Sequence, residues 1–460
     1  MKAIIAATIF GILMMFASIL MKDKKAMANL AIASLLVLFG INIWDLISTP
    51  AGSSQAYFNN MLSISYYGQM FNTLMTGCTL LYALLVSKEI QRVGAHVAEY
   101  FALIFFILCG VYLLSGYNNL LMLFIGIEIM SIPQYILAGS DKRNLKSSEA
   151  ALKYFLMGSF STGILLMGIT LLYGATGTFS IAGLAFLQSG TISMMAVAGI
   201  LFVMMALAFK VSAAPMHMWT PDVYDGAPTP FTAYMATVVK AAAFVAFLHL
   251  FTYSFGNVSH TWLLVLSVIT ALTLFVGNVT AVFQQSVKRM LAYSSIAQAG
   301  FMLFAVLASN TMAAQQGMII YAVAYSVATI GIFAVLMKMK DYTYDGFNGL
   351  AQKEPLLAFV ATIFILSLAG IPLTGGFMAK YYVVMAAVQT GQLMWLGIFG
   401  LLMAAISVYY YFRVIIAMYF KQGNAELSSP VTSGDKFMLI LTCLLVILLG
   451  IAPQLFLVNI

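Results

Sequence analysis

Six ionisable side chains stand inside long apolar runs of this 460-residue chain: Glu128, Glu149, Lys153, Lys210, Lys240 and Lys380. A charged residue at the centre of a membrane-spanning helix costs about 2.5 to 3.5 kcal/mol on insertion scales. Lysine can release its proton when it is removed from water, and a carboxylate can accept one. A sodium site would instead need carboxylate and carbonyl oxygens, because an ammonium group repels a cation. These residues therefore predict a proton relay.

The composition is too apolar for a protein that is surrounded by water. With 63% hydrophobic residues, 8% charged residues and a mean hydropathy of +1.00, the chain lacks the residues to cover itself with a polar surface. The first apolar stretch, 3–20, is followed by a charged segment at 22–25 instead of a small-residue cleavage site, which predicts a retained helix. The sequence indicates an integral membrane protein that lies in the lipid bilayer.

Cofactor signatures are missing from the sequence. The cysteines Cys78, Cys109 and Cys443 lie far apart in apolar runs, without a CxxC pair or a CxxCH haem motif. The sequence also has no Walker lysine loop and no dinucleotide fingerprint. We therefore expect no redox centre, no cofactor and no metal in this chain, and no nucleotide hydrolysis.

Apolar runs long enough to cross a bilayer, which takes about 20 residues, predict an all-α protein with about fourteen transmembrane helices. We number them as spans 1 to 14. Their predicted ranges are 2–21, 27–47, 61–87, 98–115, 118–139, 150–173, 191–213, 229–250, 261–284, 290–308, 316–338, 355–388, 392–420 and 437–458.

Basic residues are concentrated in alternate loops between these spans. They follow span 1 (Lys22, Lys24, Lys25), span 3 (Lys88, Arg92), span 5 (Lys142, Arg143, Lys146), span 9 (Lys288, Arg289), span 11 (Lys338, Lys340, Lys353) and span 13 (Lys421, Lys436). This is the positive-inside pattern, and it predicts that both termini face away from the cytoplasm. It also accounts for the net charge of +7, so no nucleic-acid partner is expected.

Four of the polar residues have a structural alternative. Glu149 and Lys153, at i and i+4, fit either an interfacial pair with snorkelling heads or part of the relay. Lys240 stands about eleven residues from either end of span 8, so it is either half of a buried ion pair or a titratable carrier. His217, seven residues after Lys210, either links the relay to the cytoplasmic side or is an interfacial histidine bonded to backbone.

Prolines and glycines break two of the spans. Pro215 removes a donor to the carbonyl of Val211, and Pro372 frees the carbonyl of Leu368 shortly before Lys380. A broken membrane helix needs protein or water to satisfy its freed backbone, so we expect spans 7 and 12 to open onto a polar interior. An ordinary proline kink is the alternative for either break alone.

The broken spans lie five apart, which predicts two inverted five-helix repeats, spans 4–8 and 9–13. The expected division is spans 1–3 in residues 1–97, the first repeat in 98–250, the second repeat in 261–420 and the last helix in 437–460. This division rests on spacing and topology, and not on internal sequence identity.

Four segments resemble one known family. They are EAALKYFLMGSFSTGILLMGITLLYGATGT (149–178), AFKVSAAPMHMWTPDVYDGAPTPFTAYMATVVKAAAF (208–244), KRMLAYSSIAQAGFML (288–303) and SLAGIPLTGGFMAKYYV (367–383). They are similar to subunit N of respiratory NADH:quinone oxidoreductase, complex I, an antiporter-like membrane subunit. The likeness runs from span 4 through span 13 and is most specific in WTPDVYDGAPTP, whereas spans 1–3 and 14 match only in hydropathy.

The resemblance implies a role for each charged position. In that family the matching residues of Glu128, Lys210, Lys240 and Lys380 form the proton-conducting axis, and Glu149 and Lys153 match a second charged pair. A departure is Gln298, where many relatives have histidine, and the role of this position is left open. Sister antiporter-like chains and other membrane subunits are the implied partners, and FMN, iron-sulfur clusters and quinone are implied for partner subunits.

The implied location is the inner membrane of a bacterial cell, where this subunit moves protons while other chains oxidise NADH and reduce quinone. The nearest alternative is a subunit of a multi-subunit cation/proton antiporter or of a membrane-bound hydrogenase, which share the fold. The VYDGAPTP segment and a lysine at position 380 favour subunit N. A scaffold without transport would have no reason to keep four lysines in the membrane.

Overall fold

The computed structural model describes residues 1–184 and 192–457, and nearly all of its regular structure is helical. The predicted start of span 7 at 191 and the last residues of the predicted C-terminal segment lie outside this range. The helices are α1 (Lys2–Leu20), α2 (Lys24–Ser48), α3 (Tyr66–Val93), α4 (Val97–Leu114), α5 (Leu120–Ala138), α6 (Leu145–Thr176), α7 (Ile181–Leu184), α8 (Met194–Lys210), α9 (Trp219–Gly226), α10 (Thr229–Tyr234), α11 (Lys240–Tyr253), α12 (Ser259–Val282), α13 (Val287–Leu307), α14 (Met312–Leu336), α15 (Leu350–Lys353), α16 (Pro355–Ala369), α17 (Gly375–Val388), α18 (Met394–Phe420) and α19 (Ser433–Ile451).

The predicted spans correspond to these helices. Within the described residues, twelve helical segments are long and apolar enough to cross a membrane. Two further spans are shorter or interrupted: span 7 is α8, which ends in an irregular turn after Lys210, and span 12 consists of α16 and α17. Together they account for about fourteen spans, so the predicted membrane fold and both predicted breaks are confirmed.

A β-hairpin between α2 and α3 corrects the expectation of an entirely helical chain. Strand β1 (Ser54–Tyr57) pairs antiparallel with β2 (Leu62–Ser65), and the turn between them contains Asn59 and Asn60 in the left-handed region. Because 61–65 belong to the hairpin and its turn, span 3 begins at Tyr66 and not at 61. Asparagine tolerates the left-handed conformation better than most residues, which favours a turn there over a helix.

Most long helices begin at a polar residue whose side chain accepts a backbone N–H. Such a cap satisfies one of the donors that a helix N-terminus leaves free, which matters most at the border of a membrane. The residues with this role are Asp23, Ser65, Asn119, Asn144, Ser193, Ser286, Thr311 and Thr432.

The loops that were predicted to be basic meet at one end of the helix bundle, which we call the basic face. Lys24, the first residue of α2, donates to the carbonyls of Gln91, in the last turn of α3, and of Gly94, which follows that helix. Near the end of α14, the buried Lys338 contacts Glu89 at 3.0 Å and Asp435 at 3.1 Å. Since α2 starts at this face and ends at Ser48, the hairpin lies at the opposite end, which we call the hairpin face.

The centre of the bundle is formed by α14, α13 and the span of α10 and α11, which holds Lys240. The apolar part of α14 is entirely buried, and α13 and the α10–α11 span are nearly so. By contrast, α1, α2, α6 and α19 expose much of their apolar surface, as helices that face lipid or partner subunits do. Charges inside α11 and α13 therefore lie among protein atoms.

Candidate functional site

The first break leaves Lys210 as the last residue of α8. Behind it the backbone turns through Ser212, which has a left-handed φ of 65°. The freed groups of the break find partners on other elements: the Trp219 indole donates to the Phe209 carbonyl at 3.2 Å, and the Ala214 N–H donates to Thr273 Oγ1 at 2.9 Å. The break is therefore held together without the lysine side chain.

The ammonium of Lys210 turns toward α5 and α6, where it is half-buried. Its Nζ donates to Ser131 Oγ at 3.1 Å and lies 3.4 Å from Tyr135 Oη. Glu128, one turn before Ser131, accepts a hydrogen bond from Thr162 Oγ1 at 2.7 Å. Glu128 and the Lys210 ammonium thus bond to different hydroxyl groups, and none of the described ion pairs joins them directly.

The second break depends on its lysine. The buried Lys380 Nζ donates to the carbonyls of Leu368 and Ala369, at 3.0 and 2.8 Å, and so caps the end of α16. The Leu368 carbonyl is the one that Pro372 was predicted to free. Gly376 is required here because a Cβ would overlap the Ser367 carbonyl oxygen, and its N–H donates to Ser367 Oγ at 3.0 Å.

Lys240 lies at the centre of span 8 and is 1% exposed. Its Nζ donates to Ser295 of α13, to Oγ at 2.7 Å and to the carbonyl at 3.1 Å, and it faces the Tyr224 ring at 5.6 Å. No carboxylate among the described residues pairs with it, so the alternative of a buried ion pair is not what the geometry shows. The turn before it, Met235–Val239, is π-helical, a distortion that is frequent at functional sites.

A line of polar side chains lies between Lys240 and Lys380, with one step, from Ser295 to Ser294, that none of the described hydrogen bonds makes. Next to Ser295, the Ser294 hydroxyl hydrogen-bonds to Tyr411 of α18. Gln298 Nε2 donates to Tyr411 Oη at 3.2 Å and to the Leu368 carbonyl at 2.8 Å, the same oxygen that Lys380 contacts. We call Ser294, Ser295, Tyr411 and Gln298 the polar track. The polar track places Gln298, whose role the sequence left open, beside the second break.

Glu149 and Lys153 form the expected pair, at 2.8 Å, but at the rim of the basic face. Lys153 also contacts Asp222 at 2.8 Å, and Asp222 contacts Arg289 at 3.0 Å. These four residues, the charged rim, border a cavity of about 220 Å³. Burial opposes ionisation of Asp222, but hydrogen bonds from Lys153 and Arg289 outweigh it and lower its pKa below the usual 3.8.

Two residues of the rim were not among the sequence candidates. Asp222 lies in the quoted segment WTPDVYDG, and Arg289 was assigned only to a basic loop. Both are brought to Lys153 by the packing of α9 against α6 and of α13 against α9, which a linear sequence does not reveal. The side chains of the charged rim are 34% to 62% accessible. This exposure fits both alternatives for Glu149 and Lys153, an ion pair at the membrane interface and an entry to the relay.

His217 lies in the turn between α8 and α9 and is only partly buried. Its carbonyl accepts from the Thr220 N–H at 2.9 Å, while its Nδ1 has no partner. None of the described hydrogen bonds or ion pairs joins the ring to a relay lysine. A role for His217 in the relay stays a prediction.

Across the described ranges, no group of three or more histidine, cysteine or acidic side chains is arranged to hold a metal ion. The chemistry available to the buried residues is hydrogen bonding and proton exchange among amines, hydroxyls, an amide and carbonyls. Such groups can hold a proton at Nζ, and they offer oxygen acceptors along the polar track.

Comparison with known sequences shows the family to which this chain belongs. Residues 117–407 match the family described as NADH:quinone oxidoreductase/Mrp antiporter, TM. The NADH-quinone oxidoreductase subunit N of Cytophaga hutchinsonii is 39% identical over 99% of both chains. The subunit N of Trichlorobacter lovleyi is 40% identical over 89% of this chain and 85% of its own.

Solved structures have the same fold. A chain of respiratory complex I from Thermus thermophilus with bound aureothin superposes with a TM-score of 0.83 at 28% identity, covering 98% of both chains. A chain of the Mrp complex from Dietzia has a TM-score of 0.82 at 18% identity, with 99% of this chain and 96% of that one covered. The second likeness concerns the fold alone.

Proposed function

Because the chain belongs to the subunit N family of NADH-quinone oxidoreductase, we propose that it is the proton-translocating membrane subunit of such a complex. Electrons pass through other subunits, and their energy drives protons through this one. The observation that carries the proposal is the pair of buried lysines, Lys240 and Lys380, whose described hydrogen bonds all go to neutral oxygens and between which the polar track lies.

The buried lysines suit proton transfer because their partners favour neither a permanent charge nor a bound cation. An ion pair would hold an ammonium in its charged form, whereas hydroxyls and carbonyls bind it more weakly. Glu128 and Lys210 supply the first carboxylate and amine, with hydroxyls between them, and Glu149 and Lys153 supply a charged pair at the basic face. In this proposal a proton waits at Lys210, Lys240 or Lys380 in turn.

The proposal also includes the partners of this chain and its location in the cell. FMN, iron-sulfur clusters and quinone belong to partner subunits, and sister antiporter-like subunits lie beside this one in the membrane. The chain lies in the bacterial inner membrane with the basic face toward the cytoplasm and both termini outside. Its spans divide into residues 1–97, the repeats 98–250 and 261–420, and a last helix from 437.

The test is to replace Lys240 in the complete complex and to measure proton pumping in sealed membrane vesicles. Both Lys240→Met and Lys240→Arg are expected to assemble on a native gel but to lose most NADH-driven pumping, since methionine holds no proton and arginine does not release one. Lys340→Met, at an exposed ion pair with Glu426, is the matched control and is expected to pump normally. An arginine variant that pumps at the wild-type rate would show that Lys240 is a structural cation.

A further inference from the structure

A stripe of uncharged polar side chains runs along one face of α3, outside the predicted relay. All of its members are buried, and they recur every three or four residues, which is the spacing of one helix face. They are Gln69, Asn72, Thr73, Thr76 and Thr79. A buried polar group in a membrane protein needs a partner, so a row of five requires an explanation.

The stripe is connected to its neighbours α2 and α4. Gln69 Nε2 and Thr73 Oγ1 both donate to the Asn42 carbonyl, each at 3.3 Å. Asn42 Nδ2 in turn donates to Tyr112 Oη at 3.2 Å, and that hydroxyl lies 2.7 Å from Thr76 Oγ1. The contacts form a continuous polar line from Gln69 to Thr76 in the interior of the bundle.

At the hairpin face the line ends beside a carboxylate. Asp45, one turn after Asn42, is 9% exposed and contacts the exposed Lys2 at 3.4 Å. A cavity of about 70 Å³, bordered by Asp45, Gln69 and residues of the hairpin, lies between the stripe and the surface. This space is polar and large enough for water.

At its deep end the stripe reaches span 8. Thr79 Oγ1 lies 3.2 Å from the hydroxyl of Tyr234, which is six residues before Lys240. The π-helical turn Met235–Val239 separates the two. The described hydrogen bonds stop at Tyr234, and the proposal below assigns the remaining step to water.

Two acceptors in this region have no hydrogen-bond partner among the described residues. They are Asn42 Oδ1 and Asn72 Oδ1, both fully buried. A buried polar atom left unsatisfied costs about 1 to 3 kcal/mol, and this cost is removed when a water molecule donates to it. The two amides therefore mark positions where water is held beside the stripe.

We propose that the stripe is the proton path between Lys240 and the hairpin face, a file of water held by Asn42, Asn72, Thr76 and Thr79 and ending at Asp45. The proposal rests on the proposed function, since it assigns a route to the same proton. The Lys240 ammonium gives a proton to the adjacent water and becomes an amine. Each hydroxyl or water accepts one proton and passes on another, and the Asp45 carboxylate releases it to the solvent.

A purely structural stripe would hold α2, α3 and α4 together by hydrogen bonds, as polar side chains do between membrane helices. The two roles differ in what an isosteric change affects. Thr76→Val keeps the shape and removes the hydroxyl at the centre of the line, and Asp45→Asn keeps the shape and removes the carboxylate at its mouth.

The test measures assembly on a native gel and NADH-driven pumping per assembled complex in vesicles. Thr76→Val and Asp45→Asn are each expected to assemble and to lower pumping to less than half of the wild-type rate. Thr442→Val is the matched control, because Thr442 is equally buried but bonds only to its own helix. Wild-type pumping in both stripe variants would overturn the path, and so would a loss of assembly without a loss of pumping per complex.

Lys240→Met separates this inference from the proposed function. If that variant pumps normally, the relay itself is wrong; if it fails while both stripe variants pump, only the path is wrong. A second measurement detects the water directly: Asn72→Cys is expected to react with a small, membrane-impermeant thiol reagent added at the hairpin face. The native Cys78, which borders an apolar cavity on α3, is expected to stay unlabelled. Protection of both cysteines would show that the stripe is dry.

Discussion

The two broken spans carry a lysine each, but the lysines relate to their breaks in different ways. At the first break, Lys210 points away to hydroxyls of α5, and the freed backbone is bound by Trp219 and Thr273. At the second, Lys380 itself binds the carbonyls that the break exposes. The first lysine is free to change its charge without loosening the helix, whereas the second couples its proton to the end of α16.

Lys210 and Lys380 therefore have different roles, although both are charged residues inside apolar spans. A proton that leaves Lys380 weakens hydrogen bonds to two carbonyls and changes the environment of Gln298, which shares one of them. A proton that leaves Lys210 changes only its contacts with Ser131 and Tyr135. The second break is thus suited to join proton movement to helix movement, and the first to hold a proton.

The largest effect is expected from Lys380→Met. The variant loses two charge-assisted hydrogen bonds, at a cost of about 3 kcal/mol: the buried Ala369 carbonyl loses the Lys380 donor, whereas the Leu368 carbonyl keeps the one from Gln298. We expect a lower melting temperature of the purified complex as well as lost pumping. Lys380→Arg is the control: it can still donate to the carbonyls, so stability is expected to recover while pumping does not. A Lys380→Met complex as stable as the wild type would contradict the capping role.

Lys210→Met is expected to affect pumping alone. The break keeps its bonds through Trp219 and Thr273, so the change in stability should stay within about 1 kcal/mol. Lys210→Arg should be nearly as damaging to pumping, because arginine keeps its proton. A melting temperature that falls as far as in Lys380→Met would erase the distinction between the two breaks. The measurements are the melting temperature and the pumping rate per assembled complex.

Gln298→Leu tests whether the polar track matters beyond the lysine. The substitution leaves the Lys380 contacts in place but removes the amide that bridges Tyr411 and the Leu368 carbonyl. The hydroxyl of Tyr321, which donates to Gln298, also loses its acceptor. We expect a stability loss of about 1 to 2 kcal/mol and a partial loss of pumping. Gln298→Glu keeps an acceptor for Tyr321 and is expected to be the more stable of the two variants.

The sequence was sufficient for the features that depend on local chemistry. Apolar length predicts the spans, and the missing N–H of Pro372 predicts which carbonyl the second break frees, before any partner is known. The lysines stand out because a charge inside an apolar run is costly enough to be noticed one residue at a time. Each of these signals is contained within a single helix.

Features that depend on neighbours in space were not predicted. Thr162 as the partner of Glu128, Ser295 as the partner of Lys240 and Asp222 as the partner of Lys153 each come from another helix. The stripe on α3 was missed for a different reason. Among the twelve apolar helices of the described residues α3 has the lowest mean hydropathy, but an average over a helix does not show that its polar side chains share one face.

The smallest effect is expected at the charged rim, from Asp222→Asn. Lys153 keeps its contact with Glu149, and exposed ion pairs contribute about 0 to 1 kcal/mol and are screened by salt. The pKa of Asp222 is lowered on folding, so its contribution is present at neutral pH and is lost only as the pH falls below the usual 3.8. The melting temperature at neutral pH should therefore fall slightly in low salt and match the wild type in high salt. A large decrease of the melting temperature that persists in high salt would contradict this. It would mean that the charged rim holds α9 on α6 as firmly as Lys380 holds the end of α16, so that the first break also depends on a lysine, Lys153.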